Sequence, residues 1–324
     1  MEIVRPNLRD VLRARKVIAP YLARTPLIRY PALDAATGLA LYLKHENHQP
    51  VGAFKVRGGL YLLSRLSDEE RARGVIAAST GNHGQSVAFA ANRFGVRAII
   101  GVPEGANPSK VAAMRSLGAE VIFHGADFDQ AREYVESLAA ERGYRYIHSG
   151  NEPDLVAGVG TIALEILEDQ PEIDTIIVPV GGGSGASAAA IVAKAVDPSI
   201  RVIGVGAAGA PAAYESWRDH RVGSTATMQT FAEGLATRVA FELPQSILWE
   251  LLDDFVLVSD HEMREAVRML LRHAHTLTEG AGAAPLAAAV QLARTLTGRQ
   301  VALVVSGGNL SMEQLQSILE TSTQ

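Results

Sequence analysis

Short apolar segments alternate with segments of helical periodicity along most of this 324-residue chain. In a parallel sheet the strands are buried on both faces, and each is usually followed by a crossover helix. The pattern therefore predicts an α/β protein with a largely parallel sheet. The predicted strands are 39–44, 75–78, 97–102, 120–123, 175–180, 201–205, 255–258 and 301–305. The predicted helices include 85–94, 109–117, 127–141, 160–167, 184–195, 260–273 and 283–296.

Composition excludes several classes of function. The formal net charge is -5, without a basic cluster, so we expect no nucleic-acid partner. The absence of cysteine excludes disulfides and thiolate chemistry. The uncharged span 175–193 contains Pro179 and several glycines, which predicts a buried strand, turn and helix rather than a membrane segment. The first residues lack the apolar stretch of a secretion signal, so we expect a cytoplasmic protein.

Lys55 lies in the glycine-flanked segment 52–59 (GAFKVRGG), which predicts a tight turn that presents its amine. Desolvation and neighbouring positive charge lower the pKa of a lysine, and a neutral lysine amine forms Schiff bases. A lysine considered alone is usually a solvated surface residue. The prediction that Lys55 is catalytic therefore depends on the motifs that accompany it.

A glycine loop follows the predicted strand 175–180 and precedes a helix rich in small residues. Main-chain N–H groups at a helix N-terminus bind anions, so we predict a phosphate site. The alternative is that glycines only permit close packing of strand and helix. A nucleotide P-loop is excluded, because no Gly-Lys-Ser/Thr ending is present. The glycine loop consists of Gly181, Gly182, Gly183, Ser184 and Gly185.

A polar loop, residues 79–84 (STGNHG), follows the predicted strand 75–78. Its side chains and helix N-terminal N–H groups are suited to a carboxylate. The alternative is a helix cap and turn, for which these residue types are also expected. Ligands of open parallel sheets bind beyond the carboxyl ends of strands, so both loops are expected to open onto one crevice. The candidate substrate residues are Ser79, Thr80, Asn82 and His83.

Three further positions are candidates for the site. Ser306 follows the predicted strand 301–305, where a hydroxyl would lie at the carboxyl end of the strand, although turn chemistry is an alternative. Glu279 precedes a predicted helix, either as a first-turn carboxylate or as an inward-facing site residue. The segment 232–237, which contains Gly234, is predicted to line the end of the site that holds the substrate side chain.

With the segments 24–27 (RTPL) and 43–47 (LKHEN), these motifs resemble the fold-type II pyridoxal-phosphate enzymes, in particular the serine/threonine dehydratase (threonine deaminase) and serine racemase branch. The likeness spans nearly the whole chain. It implies two open, largely parallel sheets flanked by helices, as in the tryptophan synthase β-subunit. It also implies a large cofactor-binding domain (1–66 and 152–324), a small mobile domain (67–151) and a homodimer.

The resemblance implies a role for each candidate. Lys55 would carry pyridoxal 5'-phosphate as a Schiff base, with Phe54 against the cofactor ring. The glycine loop would hold the phosphate, Asn82 the ring hydroxyl and Ser306 the pyridine nitrogen. The polar loop would bind the carboxylate of an amino-acid substrate.

These roles favour elimination. A hydroxyl at the pyridine nitrogen, unlike a carboxylate, need not keep that nitrogen protonated, so the ring is a weaker electron sink and expulsion of a β-substituent is favoured. We therefore expect a dehydratase that converts threonine or serine into a 2-oxo acid and ammonia. The alternatives are an amino-acid racemase, a threonine-synthase-like replacement enzyme and a non-catalytic amino-acid-binding protein.

Two departures from the family pattern refine these expectations. Thr80 stands where racemases use a serine as base, and its extra methyl restricts χ1, so racemisation ranks below elimination. Gly206 and Ala212 stand where racemase-like members carry a glutamate and an aspartate that bind a metal. Hard divalent cations such as magnesium need oxygen ligands. Glycine and alanine side chains offer none, so we expect no metal site and no requirement for magnesium.

Overall fold

Strands and helices alternate through residues 4–320, which the computed structural model describes. The strands are β1 (Leu27–Arg29), β2 (Ala40–His45), β3 (Val75–Ala78), β4 (Ala98–Val102), β5 (Glu120–Phe123), β6 (Arg145–Tyr146), β7 (Thr175–Pro179), β8 (Arg201–Ala207), β9 (Asp254–Val258) and β10 (Gln300–Val305). The α-helices are α1 (Leu8–Ile18), α2 (Pro31–Thr37), α3 (Lys55–Ser64), α4 (Asp68–Arg73), α5 (Asn82–Phe94), α6 (Pro108–Ser116), α7 (Phe128–Arg142), α8 (Pro153–Asp169), α9 (Ser184–Val196), α10 (Ala212–Arg218), α11 (Glu242–Leu251), α12 (Asp260–Ala274), α13 (Gly280–Gln291), α14 (Ala293–Leu296) and α15 (Met312–Glu320). Short 3-10 helices cover Glu46–His48 and Glu233–Leu235.

The strands of the described residues form two sheets. The large sheet has the order β1-β2-β10-β7-β8-β9, and the small sheet has the order β5-β4-β3-β6. Within the described chain, the strand pairs of both sheets are parallel except for β1 with β2. The prediction of two open, largely parallel sheets flanked by helices is confirmed.

Helices cover both faces of the large sheet. Because alternate residues of a strand point to opposite faces, neighbouring residues are buried in different cores. Ile176 and Val304 belong to the core on one face, where α3, α8 and α9 pack. Ile177 and Leu303 belong to the core on the other face, where α12 and α13 pack. Apolar runs without alternation are therefore what this sheet requires.

All eight predicted strands are present, with bounds that differ from the predictions by at most two residues. Helix α12 begins at the predicted residue and is capped by Ser259, which accepts a hydrogen bond from the Glu262 N–H, and α6 begins at Pro108, one residue before its predicted start. The pattern missed β1 and β6, which are three and two residues long and therefore too short to show periodicity. Among residues 4–320, no helix has the length and apolarity needed to cross a membrane.

Two sequence predictions about the helices around the site were wrong. Helix α8 begins at Pro153, seven residues before the predicted start, and Lys55 is the first residue of α3 rather than part of a tight turn. The glycines of α3 serve packing: a Cβ on Gly58 would lie 2.7 Å from the Leu155 carbonyl oxygen, and one on Gly59 would lie 2.3 Å from Ser86 Oγ. They allow α3 to approach both α8 and α5.

Candidate active site

The side chain of Lys55 extends from the first turn of α3 toward the start of α9. Its Nζ donates to the Ser149 carbonyl oxygen at 2.8 Å and to Ser184 Oγ at 3.1 Å. The Phe54 ring centroid lies 5.4 Å from the same nitrogen. Burial of the amine lowers the pKa of Lys55 from 10.5 to about 8, so its neutral form is accessible near neutral pH.

The glycine loop offers unpaired main-chain donors beside this lysine. The N–H groups of residues 181–185 donate to no other described residue, and the last two belong to the N-terminal turn of α9. Gly183 has φ 89°, a conformation that favours glycine. Converging N–H groups at a helix N-terminus form an anion site. The loop therefore fits a phosphate group.

The same glycines also provide close packing, which was the alternative explanation for the loop. A Cβ on Gly181 would lie 2.1 Å from the Gly234 carbonyl oxygen, and one on Gly182 would lie 2.2 Å from the Phe241 ring. This packing does not exclude an anion, because the loop packs through its Cα positions and leaves its N–H groups unpaired.

In the polar loop, the Ser79 side chain, which was predicted to contact the substrate, instead makes hydrogen bonds within the loop. Ser79 Oγ accepts hydrogen bonds from the N–H groups of Gly81 and Gly84, at 3.2 and 2.9 Å, and so caps the start of α5. The main-chain N–H groups of Thr80, Asn82 and His83 donate to no other described residue. The polar loop thus combines a cap with three N–H groups suited to a carboxylate.

The His83 imidazole is turned away from such an anion. Its Nε2 lies 3.2 Å from the Ile147 carbonyl oxygen, and its buried Nδ1 has no hydrogen-bond partner among the described residues. Burial, with the charge of Lys55, lowers the pKa of His83 to about 3. Its single N–H is therefore assigned to the Ile147 oxygen, and what His83 offers an anion is its main-chain N–H.

Asn82 is held by two partners from distant parts of the chain. Its Nδ2 donates to Glu279 Oε1 at 2.8 Å, and its Oδ1 accepts from Asn309 Nδ2 at 2.7 Å. Glu279 is the residue that precedes α13, and its side chain contacts Asn82 of the polar loop. Burial raises the pKa of Glu279 to about 7. Gly234 adjoins it, because a Cβ there would lie 3.6 Å from Glu279 Oε1.

Ser306 reaches the site because the end of β10 pairs with the segment before α3. The Phe54 N–H donates to the Ser306 carbonyl oxygen at 2.9 Å, and Ala53 bridges to Gly307. Ser306 is 3% exposed, and its Oγ makes no hydrogen bond with another described residue. The hydroxyl is thus a buried donor and acceptor available to a ligand atom.

A buried ionic cluster supports the start of α3. Arg57 donates to Glu46 Oε2 at 2.8 Å and to Glu165 Oε1 at 2.7 Å, and Lys44 donates to Glu165 Oε2 at 2.7 Å. All four side chains are buried, and their charges balance. The cluster joins β2, the 3-10 helix Glu46–His48, α3 and α8, and its Arg57 lies two residues after Lys55.

A cavity of about 370 Å³ lies between the small sheet and the segment 226–241. Its lining includes Ser149, the acceptor for Lys55, and also Arg132, His148 and Thr237. Sequence reasoning did not single out Arg132, His148 or Ser149. A signal for His148 and Ser149 exists, since they follow the end of β6, but that strand was too short to recognise.

The comparisons with known proteins agree with this geometry. Residues 18–307 match the family described as "Pyridoxal-phosphate dependent enzyme". The L-threonine ammonia-lyase of Thermotoga maritima is 38% identical over 313 residues, which cover 97% of this chain and 78% of the relative. The L-threonine dehydratase catabolic TdcB of Staphylococcus aureus (strain N315) is 39% identical over 319 residues, which cover 97% of this chain and 92% of the relative.

Solved structures give the same result. The structure of maize serine racemase is similar with a TM-score of 0.92 and 33% identity, covering 98% of each chain. A threonine deaminase from T.th. is similar with a TM-score of 0.90 and 36% identity, covering 95% of this chain and 99% of that one. The chain belongs to the pyridoxal-phosphate-dependent enzyme family and has its type II fold.

Proposed function

We propose that this chain is a pyridoxal-phosphate-dependent dehydratase that removes the β-hydroxyl of threonine or serine and releases a 2-oxo acid and ammonia. The observation that carries the proposal is the position of the Lys55 amine, held between the start of α9 and Phe54. The relatives named as threonine ammonia-lyase and threonine dehydratase support this choice of reaction.

The residues of the site fit pyridoxal phosphate. The unpaired N–H groups of the glycine loop suit its phosphate, and the Lys55 amine with its lowered pKa suits its aldehyde. The Ser306 hydroxyl suits the ring nitrogen, and the second amide hydrogen of Asn82 suits the ring hydroxyl. Phe54 would contact the ring itself. Ser79 would act through the loop that it caps.

When bound, pyridoxal phosphate supplies an electron-withdrawing ring that acidifies the Cα proton of the substrate. The N–H groups of Thr80, Asn82 and His83 bind the substrate carboxylate and fix Cα beside Lys55. The Lys55 amine accepts the Cα proton, as its lowered pKa allows. The β-hydroxyl would then leave as water, taking up the proton that the Lys55 amine accepted from Cα. Because Ser306 offers the ring nitrogen a hydroxyl and not a carboxylate, elimination of the β-hydroxyl is favoured over reprotonation at Cα.

The proposal includes the domain division implied by the resemblance. The small mobile domain (67–151) contains the small sheet, and the large domain (1–66 and 152–324) contains the large one; residues 1–3 and 321–324 lie outside the described part. Ion pairs of Lys110 with Glu233 and of Arg238 with Asp129 connect the two across the cleft. We also propose a homodimer located in the cytoplasm.

The test is a panel of L-amino acids assayed for 2-oxo acid and ammonia, with wild type and Lys55→Ala in parallel. We expect release from threonine or serine by wild type alone, and we expect borohydride reduction to fix the cofactor on Lys55. Release that requires a second or phosphorylated substrate would instead identify a replacement enzyme. Labelling of Lys55 without any turnover would identify an amino-acid-binding protein.

A further inference from the structure

His148 lies at the cavity in a loop that also contacts Lys55. It follows β6 and precedes Ser149, whose carbonyl oxygen accepts a hydrogen bond from Lys55 Nζ. The residue is half-buried and lines the cavity of about 370 Å³. His148 therefore lies one residue from the contact with Lys55 and also borders the cavity.

The hydrogen bonds of the loop assign the tautomer of His148. Its Nδ1 accepts from the main-chain N–H groups of Gly150 at 3.0 Å and Asn151 at 2.9 Å. A nitrogen that accepts two N–H groups carries no proton, so the neutral ring is protonated at Nε2. Burial and the charges of Lys55 and Arg132 lower the pKa of His148 to about 4, so the ring is neutral near pH 7.

The orientation of the ring is also determined by packing. The His148 and Phe241 rings meet edge to face, with centroids 4.7 Å apart and an interplanar angle of 80°. Phe241 in turn packs against Gly182 of the glycine loop. Nδ1 faces the loop, and no described residue accepts a hydrogen bond from Nε2. The Nε2–H group is therefore a donor of fixed orientation on the side of the ring opposite the loop, toward the cavity.

Two of the three groups on the substrate Cα already have proposed partners, and this inference rests on the proposed function. With the amino group at Lys55 and the carboxylate at the polar loop, the side chain is the group left to extend toward the cavity that Ser149 and His148 line. We infer that His148 is a specificity-determining residue whose Nε2–H donates a hydrogen bond to the β-hydroxyl oxygen of the substrate. The bond strengthens as that oxygen gains negative charge during departure. No proton is transferred, since Nε2–H of neutral imidazole is too weak an acid.

Two variants distinguish a hydrogen bond from His148 to the substrate from a purely structural role of His148 in its loop. In His148→Asn, Oδ1 takes the place of Nδ1 as acceptor for the N–H groups of Gly150 and Asn151, but the distal donor is lost. In His148→Gln, the amide Nε2 keeps a donor at nearly the same distance from Cα. Thermal unfolding of both holoenzymes verifies that the fold is retained.

The assay compares L-threonine or L-serine with β-chloro-L-alanine, which loses chloride and needs no hydrogen bond to oxygen. We expect His148→Asn to lower kcat/KM for the hydroxy amino acid by roughly 10- to 100-fold, and to leave β-chloro-L-alanine within about threefold of wild type. His148→Gln should recover much of the loss. The inhibition constant of L-2-aminobutyrate, which has no hydroxyl, should not change in either variant.

The outcomes distinguish failure of the inference about His148 from failure of the proposed dehydratase function. Equal losses on both substrates, or no loss on the hydroxy amino acid, would overturn the inference and leave the dehydratase intact. If wild type releases no 2-oxo acid from any β-hydroxy amino acid, the proposed function fails and the role of His148 fails with it.

Discussion

Asn82 Nδ2 donates a hydrogen bond of 2.8 Å to Glu279 Oε1, which joins the first residue of α5 to the residue that precedes α13. On the other side, Asn309 Nδ2 donates to Asn82 Oδ1. With an acceptor on one side and a donor on the other, the amide of Asn82 has a single orientation. Glu279 therefore positions the group proposed to bind the cofactor hydroxyl.

The first prediction concerns Glu279 and pH. Burial raises its pKa from 4.5 to about 7, so the folded protein binds this proton more tightly than the unfolded chain does. The stability that this proton contributes is present below about pH 4.5 and is lost as pH rises to about 7. We expect the free energy of unfolding of wild type, relative to Glu279→Gln, to fall by about 1 to 3 kcal/mol between pH 5 and 7.5. Urea unfolding of the apo protein at both pH values measures this, and parallel pH profiles would contradict it.

The second prediction concerns Lys55. Because burial lowers its pKa to about 8, the neutral amine becomes the major form above that pH rather than above 10.5. The rate of covalent attachment of pyridoxal phosphate to the apo protein should rise with pH and level off above a midpoint near 8. Stopped-flow absorbance measures the rate. The Lys55→Ala variant should show no covalent attachment after borohydride reduction, and a midpoint above 10 in wild type would show that the amine is solvated.

The third prediction concerns the buried ionic cluster. Arg57→Met removes the residue between Glu46 and Glu165 and leaves two buried carboxylates with insufficient positive charge. We expect a loss of about 3 to 5 kcal/mol in the free energy of unfolding. The control is Arg73→Met, which breaks an exposed pair with Glu69 and should cost less than about 1 kcal/mol. Similar effects of the two substitutions in urea unfolding would refute the special role of the cluster.

The fourth prediction concerns metal ions. A Cβ on Gly206 would lie 3.1 Å from Leu257 and from Phe255, so this position adjoins apolar side chains. Among residues 4–320, no group of three or more acidic, histidine or cysteine side chains is arranged to bind a metal ion. Extended treatment with a chelator should leave 2-oxo acid release unchanged, and added magnesium should not stimulate it. A large loss that magnesium reverses would show that a cation is required.

The fifth prediction concerns Thr80, half-buried in the polar loop. Its β-branched side chain restricts the position of the hydroxyl, so wild type should convert L-serine to pyruvate faster than to D-serine. Thr80→Ser frees the hydroxyl and should raise the ratio of D-serine to pyruvate several-fold. Chiral chromatography of the reaction mixture measures both products. Faster formation of D-serine than pyruvate by wild type would reverse the ranking of the two reactions.

Local signals in the sequence predicted much of the fold and the parts of the site that lie on one segment. The apolar runs located the strands, and the glycine loop was recognised because strand, glycines and helix are contiguous. Prediction was poorer where a residue type has two physical uses. Gly58 indicated a turn, but it lies within α3 and allows the close approach of α8.

By itself, the sequence determined the α/β class, the family resemblance and the candidate lysine, because each depends on residues close together in the chain. Tertiary structure alone decided which side chains meet: Asn82 with Glu279, 197 positions away, and Asn309 with Asn82, 227 positions away. It also decided that His148 lines the cavity with Nε2 as its donor. Such contacts depend on the order of strands within each sheet and on how the two sheets pack, and neither is encoded in local periodicity or propensity.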